Sequence, residues 1–529
     1  MDGQRQRTVI TILKRFRTFR YILLLEGIAV GILSGLVTVL FRLALEHAEE
    51  LLQLALSFGR EHIWFIAVWF LLLGILSLVV TALLKWEPLI SGSGIPQVEG
   101  ELHGRMEQKW WRVLPAKLIG GVLSIGAGLS LGREGPSIQL GAMAGKGFAR
   151  LAKRMKTEEK MLVTCGAGAG LAAAFNAPLA GVLFTLEELH KNFSVEVLLS
   201  AMASCCTADF ISRYVFGLKP VFHFELQSML PLRYYGWVLL LGIFVGLFGV
   251  VYNFCLQKTQ DIYGRIPSRT VRLLIPFLLA GVFGFIYPAV LGGGHSLVGQ
   301  VNGGNMAWQA LALLLLLKFL FSMISFGSGA PGGIFLPLLV MGAVCGGLYN
   351  AGVSGITGSG QDLLPYFVIL GMAGCFSSIV RAPITGIILI SEMTGSFSNL
   401  FTLSLVSLAA YVTADLLRSE PVYDQLLHRL LKSRPSEPPH STGEKLLVES
   451  PVCHGSSAEG KKVSEIGWPE SCLVVAVIRD NTEIVPKGDT VILAGDRITV
   501  LCDEMEAPGV YGMLERECGR VTVEKTDFQ

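Results

Sequence analysis

The chain has 529 residues, 52% of them hydrophobic and only 16% charged, with a mean hydropathy of +0.56. Soluble domains carry about a quarter charged residues, so the composition argues against a wholly water-soluble chain; the apolar content and the 61 glycines without a three-residue period also rule out disordered and collagen-like chains. The net charge of +2 hides an asymmetry: residues 434–529 hold 10 Lys+Arg against 17 Asp+Glu, which leaves 33 against 24 in residues 1–433.

In chain order, residues 1–20 read as a basic N-terminus with Arg5, Arg7, Lys14, Arg15, Arg17 and Arg20. Residues 21–433 read as a membrane domain. Apolar runs long enough to span a bilayer occur at Tyr21–Ala44, Ile63–Leu84, Val197–Phe216, Tyr235–Leu256, Val271–Leu291, Ala307–Phe326 and Phe401–Leu417. The first is too long for a cleavable signal peptide, and no small-residue cleavage site follows it. Between these runs lie glycine-broken apolar pieces: Leu118–Leu131, Ile138–Phe148, Met161–Leu186, Ile334–Leu348 and Tyr366–Ile390. Irregular backbone at membrane depth is tolerated only inside protein or along a wet cavity, so broken helices predict a permeation site rather than an anchor.

Three further basic clusters follow: Lys146 with Arg150, Lys153, Arg154, Lys156 and Lys160; Lys258 with Arg265, Arg269 and Arg272; and Arg418 with Arg429, Lys432 and Arg434. The excess of Lys and Arg in short loops places these clusters, and both termini, in the cytoplasm. The charge-poor loop Gly217–Arg233 is placed outside. The clusters are too short and too interrupted by apolar runs for nucleic-acid binding.

Residues 434–443, rich in Pro and Ser, predict a linker, and residues 444–529 an acidic cytosolic α/β domain. Strands are predicted at Leu473–Ile478, Thr490–Leu493 and Arg497–Cys502, the last two joined across Ala494-Gly495-Asp496.

The membrane domain contains an internal repeat. Ser124–Gly145 matches Ser325–Gly346 at an offset of 201 without a gap, through Ser124/Ser325, Gly126/Gly327, Gly128/Gly329, Gly132/Gly333, Pro136/Pro337, Gly141/Gly342, Ala142/Ala343 and Gly145/Gly346; Lys117 pairs with Lys318 upstream. Asn176–Glu188 then matches Arg381–Met393 at an offset of 205. The halves run over about 21–216 and 235–430. Repeated halves with interrupted apolar segments point to a binding site near the bilayer midplane. Whether the halves are inverted does not follow from the repeat alone.

Three glycine-rich turns each lead into an apolar helix: GSGIP (Gly92–Pro96), GREGP (Gly132–Pro136) and GGIFLP (Gly332–Pro337). Proline is favourable just inside a helix start, and glycine allows close backbone approach. The exposed N–H groups and positive dipole ends then favour an anion, and three converging ends would bind a small dehydrated anion without a full positive charge, so that it could also leave. Two acids stand out. Glu134 lies at a helix start, where a carboxylate can occupy the anion's place until it is protonated. Glu188 closes an apolar run, and its repeat mate is Met393. Intramembrane acids mark ion or proton paths, although a helix-end carboxylate reaching the cytoplasm remains a second reading for Glu188. Glu187, matched by Glu392, is assigned a structural role. Arg133 and Lys117 are read as structural or field-shaping rather than as ligands, with acids such as Glu99 as partners they could take.

Other motifs are rejected. Gly166–Gly170 (GAGAG) lacks the βαβ unit of a dinucleotide site and predicts tight helix packing. Gly145-Lys146 lacks the remainder of a P-loop. No CxxC pair or histidine spacing indicates zinc or a disulfide framework, so neither metal nor cofactor is expected.

Together GSGIP, GREGP, GGIFLP and AAAFNAPLAGVLFTLEE resemble the CLC family of chloride channels and chloride/proton exchangers, over roughly residues 15–430. The resemblance implies an all-α polytopic fold of two inverted repeats of tilted and broken helices, and a homodimer with one anion pathway per subunit. It implies anion coordination by Ser93, by the backbone N–H groups of Ile334 and Phe335, and by Tyr423 in PVYDQLL. It makes Glu134 the gating glutamate and Glu188 the internal proton-transfer glutamate; relatives with an acid there are typically exchangers. Ser93 argues against the fluoride-selective and proline-bearing nitrate types. The tail, with Glu483–Asp503, resembles the RCK/TrkA C-terminal regulatory module, which implies a dimerising ligand sensor without naming its ligand. The combination looks prokaryotic. The expected function is chloride/proton antiport in a plasma membrane, without covalent catalysis. The alternatives are a passive chloride channel of the same fold and, from another class, a receptor whose tail does the work.

Overall fold

A computed structural model of the chain describes residues 2–191, 195–218, 220–222, 224, 229–358, 362–432, 445–469, 472–479, 482–503 and 507–519. It divides into two compact units, Met1–Ser433 and Arg434–Gln529. The predicted linker, residues 434–443, lies outside the described residues.

The first unit is helical. Its helices are α1 (Asp2–Glu61), α2 (Ile63–Trp86), α3 (Ile95–Leu102), α4 (Trp110–Gly126), α5 (Glu134–Leu151), α6 (Lys156–Phe175), α7 (Pro178–Phe184), α8 (Val195–Phe216), α9 (Tyr235–Gly264), α10 (Arg269–Ile286), α11 (His295–Asn302), α12 (Trp308–Gly327), α13 (Phe335–Thr357), α14 (Leu364–Ile379), α15 (Pro383–Thr394), α16 (Leu400–Leu416) and α17 (Val422–Lys432). Among the described residues, six segments are long and apolar enough to cross a membrane: Tyr21–Glu61, Ile63–Trp86, Leu232–Gly264, Arg269–Ile286, Trp308–Gly327 and Phe335–Thr357. The predicted runs at Val197–Phe216 and Phe401–Leu417 form α8 and α16.

Proline and left-handed residues set the breaks. The run Met161–Leu186 breaks between α6 and α7 at Asn176, whose φ is +54°, and restarts at Pro178. Tyr366–Ile390 breaks likewise at Arg381, with φ of +73°, and restarts at Pro383. The predicted span Val271–Leu291 ends early, at Ile286. Pro288 disfavours helical backbone before it, Tyr287 leaves the helical region at φ −147° and ψ 73°, and a 3₁₀ turn covers Pro288–Val290.

The order of elements α1–α8 recurs as α9–α16, and the 3₁₀ turn Pro88–Ile90 before α3 has its counterpart in Pro288–Val290 before α11. The halves meet through equivalent residues. Gly132 and Gly333 form an isolated antiparallel bridge: the Gly132 N–H donates to the Gly333 carbonyl at 2.6 Å, and the Gly333 N–H to the Gly132 carbonyl at 2.7 Å. Repeat mates that pair antiparallel are related by a twofold axis passing between them, so the chain runs in opposite senses in the two halves there.

A second exchange follows the same symmetry. Glu187 accepts the N–H of Ile384 (3.3 Å) and both the N–H (2.8 Å) and Oγ1–H (2.7 Å) of Thr385 at the start of α15. Its mate Glu392 accepts the N–H groups of Leu179 (3.1 Å) and Ala180 (2.8 Å) at the start of α7. Each acid satisfies orphan N–H groups at the other half's helix start and complements the dipole there. This reciprocal capping agrees with the structural role expected of Glu187.

Helix pairs α5–α6 and α13–α14 touch backbone to backbone, the close approach that small residues permit in membranes. A Cβ on Gly166 would strike the Gly141 backbone, one on Gly170 the Ser137 carbonyl, and one on Gly371 the Gly342 carbonyl. Gly166 and Gly170 thus carry the tight packing expected of GAGAG. Gly170→Ala is expected to lower stability by at least about 1–3 kcal/mol, the cost of overpacking. A lower midpoint of heat-induced aggregation in detergent would show it; an unchanged midpoint would refute the contact.

The second unit is a four-stranded antiparallel sheet, ordered β1-β4-β2-β3, of β1 (Lys445–Pro451), β2 (Leu473–Arg479), β3 (Thr482–Ile484) and β4 (Arg497–Asp503), with helix α18 (Ala507–Cys518). Val448, Val477, Ile498, Val500 and Leu514 are among its buried core. The predicted strands at Leu473 and Arg497 form β2 and β4. The third, Thr490–Leu493, does not form: Val491 makes only an isolated bridge to Lys462. Both edges of β4 are already occupied, by β1 and β2, so no hairpin with residues 490–493 is possible. The turn at Ala494-Gly495 is nonetheless present, with Gly495 at φ +89°. Asp496 beyond it is buried, which opposes ionisation. Hydrogen bonds from Arg479 (2.8 and 2.7 Å) and the Leu493 N–H (2.8 Å) outweigh that and hold its carboxyl below the usual range.

Candidate functional site

The three glycine-rich turns come together where the two halves meet. The Gly332 N–H donates to the Gly92 carbonyl at 3.0 Å, which ties GGIFLP to GSGIP, and the Gly132–Gly333 bridge ties GGIFLP to GREGP. A Cβ on Gly135 would lie 2.8 Å from the Ser93 Cβ, so the turn bearing Glu134 packs directly on Ser93.

Gly94, at φ +93°, turns the chain into α3. Ser93 is buried, and its Oγ accepts the Ile95 N–H at 3.3 Å. That bond uses the hydroxyl as acceptor and leaves its hydrogen to donate. Ile334 is the N-cap of α13 and Phe335 its first residue, and both are fully buried. The Phe335 ring lies against Phe376 (4.8 Å between centroids), Phe175 (5.4 Å) and Phe184 (6.2 Å), which fixes the turn whose N–H groups open α13.

Glu134 opens α5 and is fully buried. Its carboxylate faces the backbone N–H groups of Glu134 itself and Leu336, the first turns of α5 and α13, yet neither oxygen completes a hydrogen bond. A carboxylate held over two helix starts stands where their dipoles favour negative charge. Tyr423 lies in the first turn of α17. Its ring meets Phe184 edge-on at 6.5 Å, and its hydroxyl is buried without a partner. A buried hydroxyl left unpaired costs about 1–3 kcal/mol, so this one fits a ligand that accepts a hydrogen bond. The charges of Glu188 and Glu134 both act on it, and Phe184, which its ring meets, leads into the turn that carries Glu188.

Glu188 sits on a π-helical turn, Thr185–His190, that continues α7. It is 6% exposed, and its Oε1 has no partner. Its charged neighbours are Glu99, Lys191, Asp424 and Glu187.

Neither Lys117 nor Arg133 takes up Glu99, the partner open to them in the sequence. Glu99 pairs with Lys191 at 2.8 Å. Lys117, fully buried, donates to the carbonyls of Ile90 (2.9 Å) and Gly92 (2.6 Å), holding the Ser93 turn from behind. Its mate Lys318 does the same for Val290 (2.9 Å) and Gly292 (2.6 Å). The Nε of Arg133 is buried without a partner, and its charge acts on Glu134 and on Arg42. Lys146, counted above with the loop charges, is instead buried against Glu101 and the Gln108 carbonyl.

Two cavities reach these turns. One of about 830 Å³ is lined by Arg42, Glu49, Gly132, Arg133, His295 and Leu336, among others. One of about 370 Å³ is lined by Ser93, Gln97, Arg269, Arg272, Ser328 and Arg429, among others. Sequence reasoning missed Arg42, which donates from Nη1 to the Ala173 carbonyl (2.7 Å), Asn176 Oδ1 (3.0 Å) and Ser212 Oγ (2.8 Å). An arginine inside the first apolar run was the available signal. It also missed the turn Gly292–His295. Among the described residues no group of three or more His, Cys, Asp or Glu could hold a metal ion.

Comparison with known proteins follows the same outline. The family profile described as "Voltage gated chloride channel" matches residues 77–415, and that of the TrkA-C domain matches residues 447–507. The H(+)/Cl(-) exchange transporter ClcA of Vibrio cholerae serotype O1 is 36% identical over 424 residues, covering 77% of this chain and 89% of the relative. The same-named transporter of Yersinia pestis is 33% identical over 442 residues, covering 81% and 92%. The crystal structure of a slow cyanobacterial Cl−/H+ antiporter superposes with a TM-score of 0.74 at 32% identity, covering 78% of this chain and 98% of the other.

Proposed function

This chain belongs to the voltage gated chloride channel (CLC) family, and we propose that within it the protein is a secondary active antiporter that moves chloride in exchange for protons. The observation that carries this reading is Glu134, a buried carboxylate over the starts of α5 and α13 with both oxygens unpaired. Chloride is held by the Ser93 hydroxyl, the Tyr423 hydroxyl and the N–H groups of Ile334 and Phe335. When Glu134 takes a proton from outside it gives up its place at the helix starts, and an anion takes it. Glu188 passes protons to and from the cytoplasm. A bound anion beside Glu134 and a proton on it favour one another, because like charges resist being close. That mutual preference couples the two fluxes. Lys117 and Arg133 support the site, the first by holding carbonyls and the second by its field, and Glu99 serves the Glu188 end. Beyond proton transfer no covalent chemistry is involved, so the protein is a transporter and not an enzyme.

The protein sits in a prokaryotic plasma membrane with both termini in the cytoplasm, as the basic loops indicate. It works as a homodimer with one pathway per subunit, and the TrkA-C domain tunes it by binding a small molecule or ion. The passive channel is the second reading; Glu188, buried and unpaired on the way in, favours the exchanger.

Reconstitution tests the proposal. In liposomes loaded with chloride, dilution into low chloride should drive measurable proton movement, and a proton gradient should shift the reversal potential. Chloride efflux without proton movement would make the protein a channel. Absence of both fluxes would leave only the receptor reading.

A further inference from the structure

We infer that protons reach Glu188 through a cavity beside α3 and α17, with Asp424 and His428 as its outer proton-exchanging groups and Glu99 as its inner one. The inference rests on the antiport reading and names the route that reading requires.

A cavity of about 420 Å³ shares no lining residue with the two that reach the glycine turns; one of about 600 Å³ borders it at Glu420 and His428 and borders the Ser93 cavity at Gln260, Leu426 and Arg429. The wall of the former includes Glu99, Lys191, Asp424 and His428. His103 and Arg105 at the end of α3 and Glu420 before α17 complete the charged lining. Lys191 reaches both carboxylates, Glu99 and Asp424, each at 2.8 Å. Asp424 is about one-third exposed and Glu99 is 2% exposed, so the bridge runs from the accessible part of the wall to the interior.

Two observations beyond this acidic lining point inward. Glu99 Oε2 is buried with no partner although Oε1 is held by Lys191, and Glu188 Oε1 is buried and unpaired as well. Helix α3, which carries Glu99, packs against the π-helical turn that carries Glu188. Glu187, the carboxylate next to Glu188 in sequence, is not available as a relay. Both its oxygens are occupied at the start of α15.

A proton taken up at His428 or Asp424 therefore passes to the unpaired oxygen of Glu99 and then to Glu188, each donor returning to its unprotonated form. Lys191 positions Glu99 and Asp424 for the transfer. None of the proposed anion-holding groups lines this cavity, so the transfer through Glu99 to Glu188 runs apart from the Ser93 turn.

The test is the double variant Asp424→Asn/His428→Gln in proteoliposomes, with proton and chloride flux measured together. The expected result is a proton-to-chloride ratio lowered about 100-fold, the lower end of what a positioned proton-transferring group contributes. Chloride flux should persist. Imidazole added on the side of the basic loops should restore part of the proton flux, which a merely structural defect would not allow. Should the double variant misfold, His428→Gln alone, at an exposed position, is read in the same way for a smaller, imidazole-restored fall. An unchanged ratio in folded protein, or a loss that imidazole does not restore, overturns the route. So does Glu187→Gln if it abolishes proton flux in stably folded protein. Wild-type protein that moves chloride without protons would instead sink the antiport reading, and the route with it.

Discussion

Replacing Glu134 by glutamine is expected to yield a protein that carries chloride with no accompanying protons, at a rate that no longer responds to pH. Glutamine nearly matches the shape of the carboxylate and fills the same buried space over α5 and α13. It cannot ionise, so it neither competes as an anion nor stores a proton. A helix start favours an anion by about 0.3–1 kcal/mol when exposed, and by up to about 2 kcal/mol when partly buried. Two such starts face the Glu134 carboxylate, and with that charge removed they are left to chloride. Anion affinity should therefore rise about tenfold, equivalent to about 1.4 kcal/mol, as read by calorimetric titration in detergent. Flux in liposomes across the range from about pH 4 to pH 8, which brackets ordinary carboxylate titration, should be flat. Persistence of coupled proton movement in this variant would remove Glu134 from the mechanism.

The residues that meet at this point were legible in the sequence because their chemistry is written in backbone terms. Glycine, proline and position before a helix are local features, and Gly92–Pro96, Gly132–Pro136 and Gly332–Pro337 carry them within five or six residues. What holds those turns in place was less legible. A buried lysine has a carboxylate as one possible partner. Lys117 and Lys318 instead donate to carbonyls of the tight turns, that of Gly92 shared with the Gly332 N–H, a demand visible only once the turn is built. The turn Gly292–His295 escaped for a related reason. It lies 200 residues after Gly92–Ile95 rather than 201, lacks the serine and the proline, and keeps only the glycines on which its shape depends. The sense of the repeat came from the family resemblance and not from the repeat itself. Similarity along the sequence does not carry direction in space, whereas the Gly132–Gly333 bridge does. In the tail, Thr490–Leu493 has strand composition, but β1 and β2 take both edges of β4 and leave it nothing to pair with. Competition for a sheet edge is a tertiary event that local pattern does not encode.

Glu188→Gln is expected to separate the two fluxes in the other direction, removing proton movement while chloride still passes. The position breaks the repeat, since its mate is Met393, so the twofold symmetry of the fold does not need an acid there. The neighbouring pair Glu187 and Glu392 is retained in both halves because it caps α15 and α7. One acid of the Glu187-Glu188 pair is thus explained by architecture, and the other is not. Glu188 is buried at appreciable cost with an unpaired oxygen, and intramembrane acids are commonly kept for ion or proton transfer. Glutamine keeps the volume and a carbonyl acceptor but cannot release a proton. Proton flux should fall by at least about 100-fold, the lower end of what a positioned proton-transferring group contributes. The proposed anion groups, at Ser93, Ile334, Phe335 and Tyr423, are untouched by this change, so chloride flux should remain within the same order of magnitude. The contrast with Glu134→Gln is diagnostic. Both variants lose protons, but only Glu188→Gln keeps the ionisable group over the helix starts, so only its chloride flux should still depend on external pH. Equal pH-insensitivity in the two variants would mean that Glu188 does not act separately from Glu134, and the two-acid relay would fail.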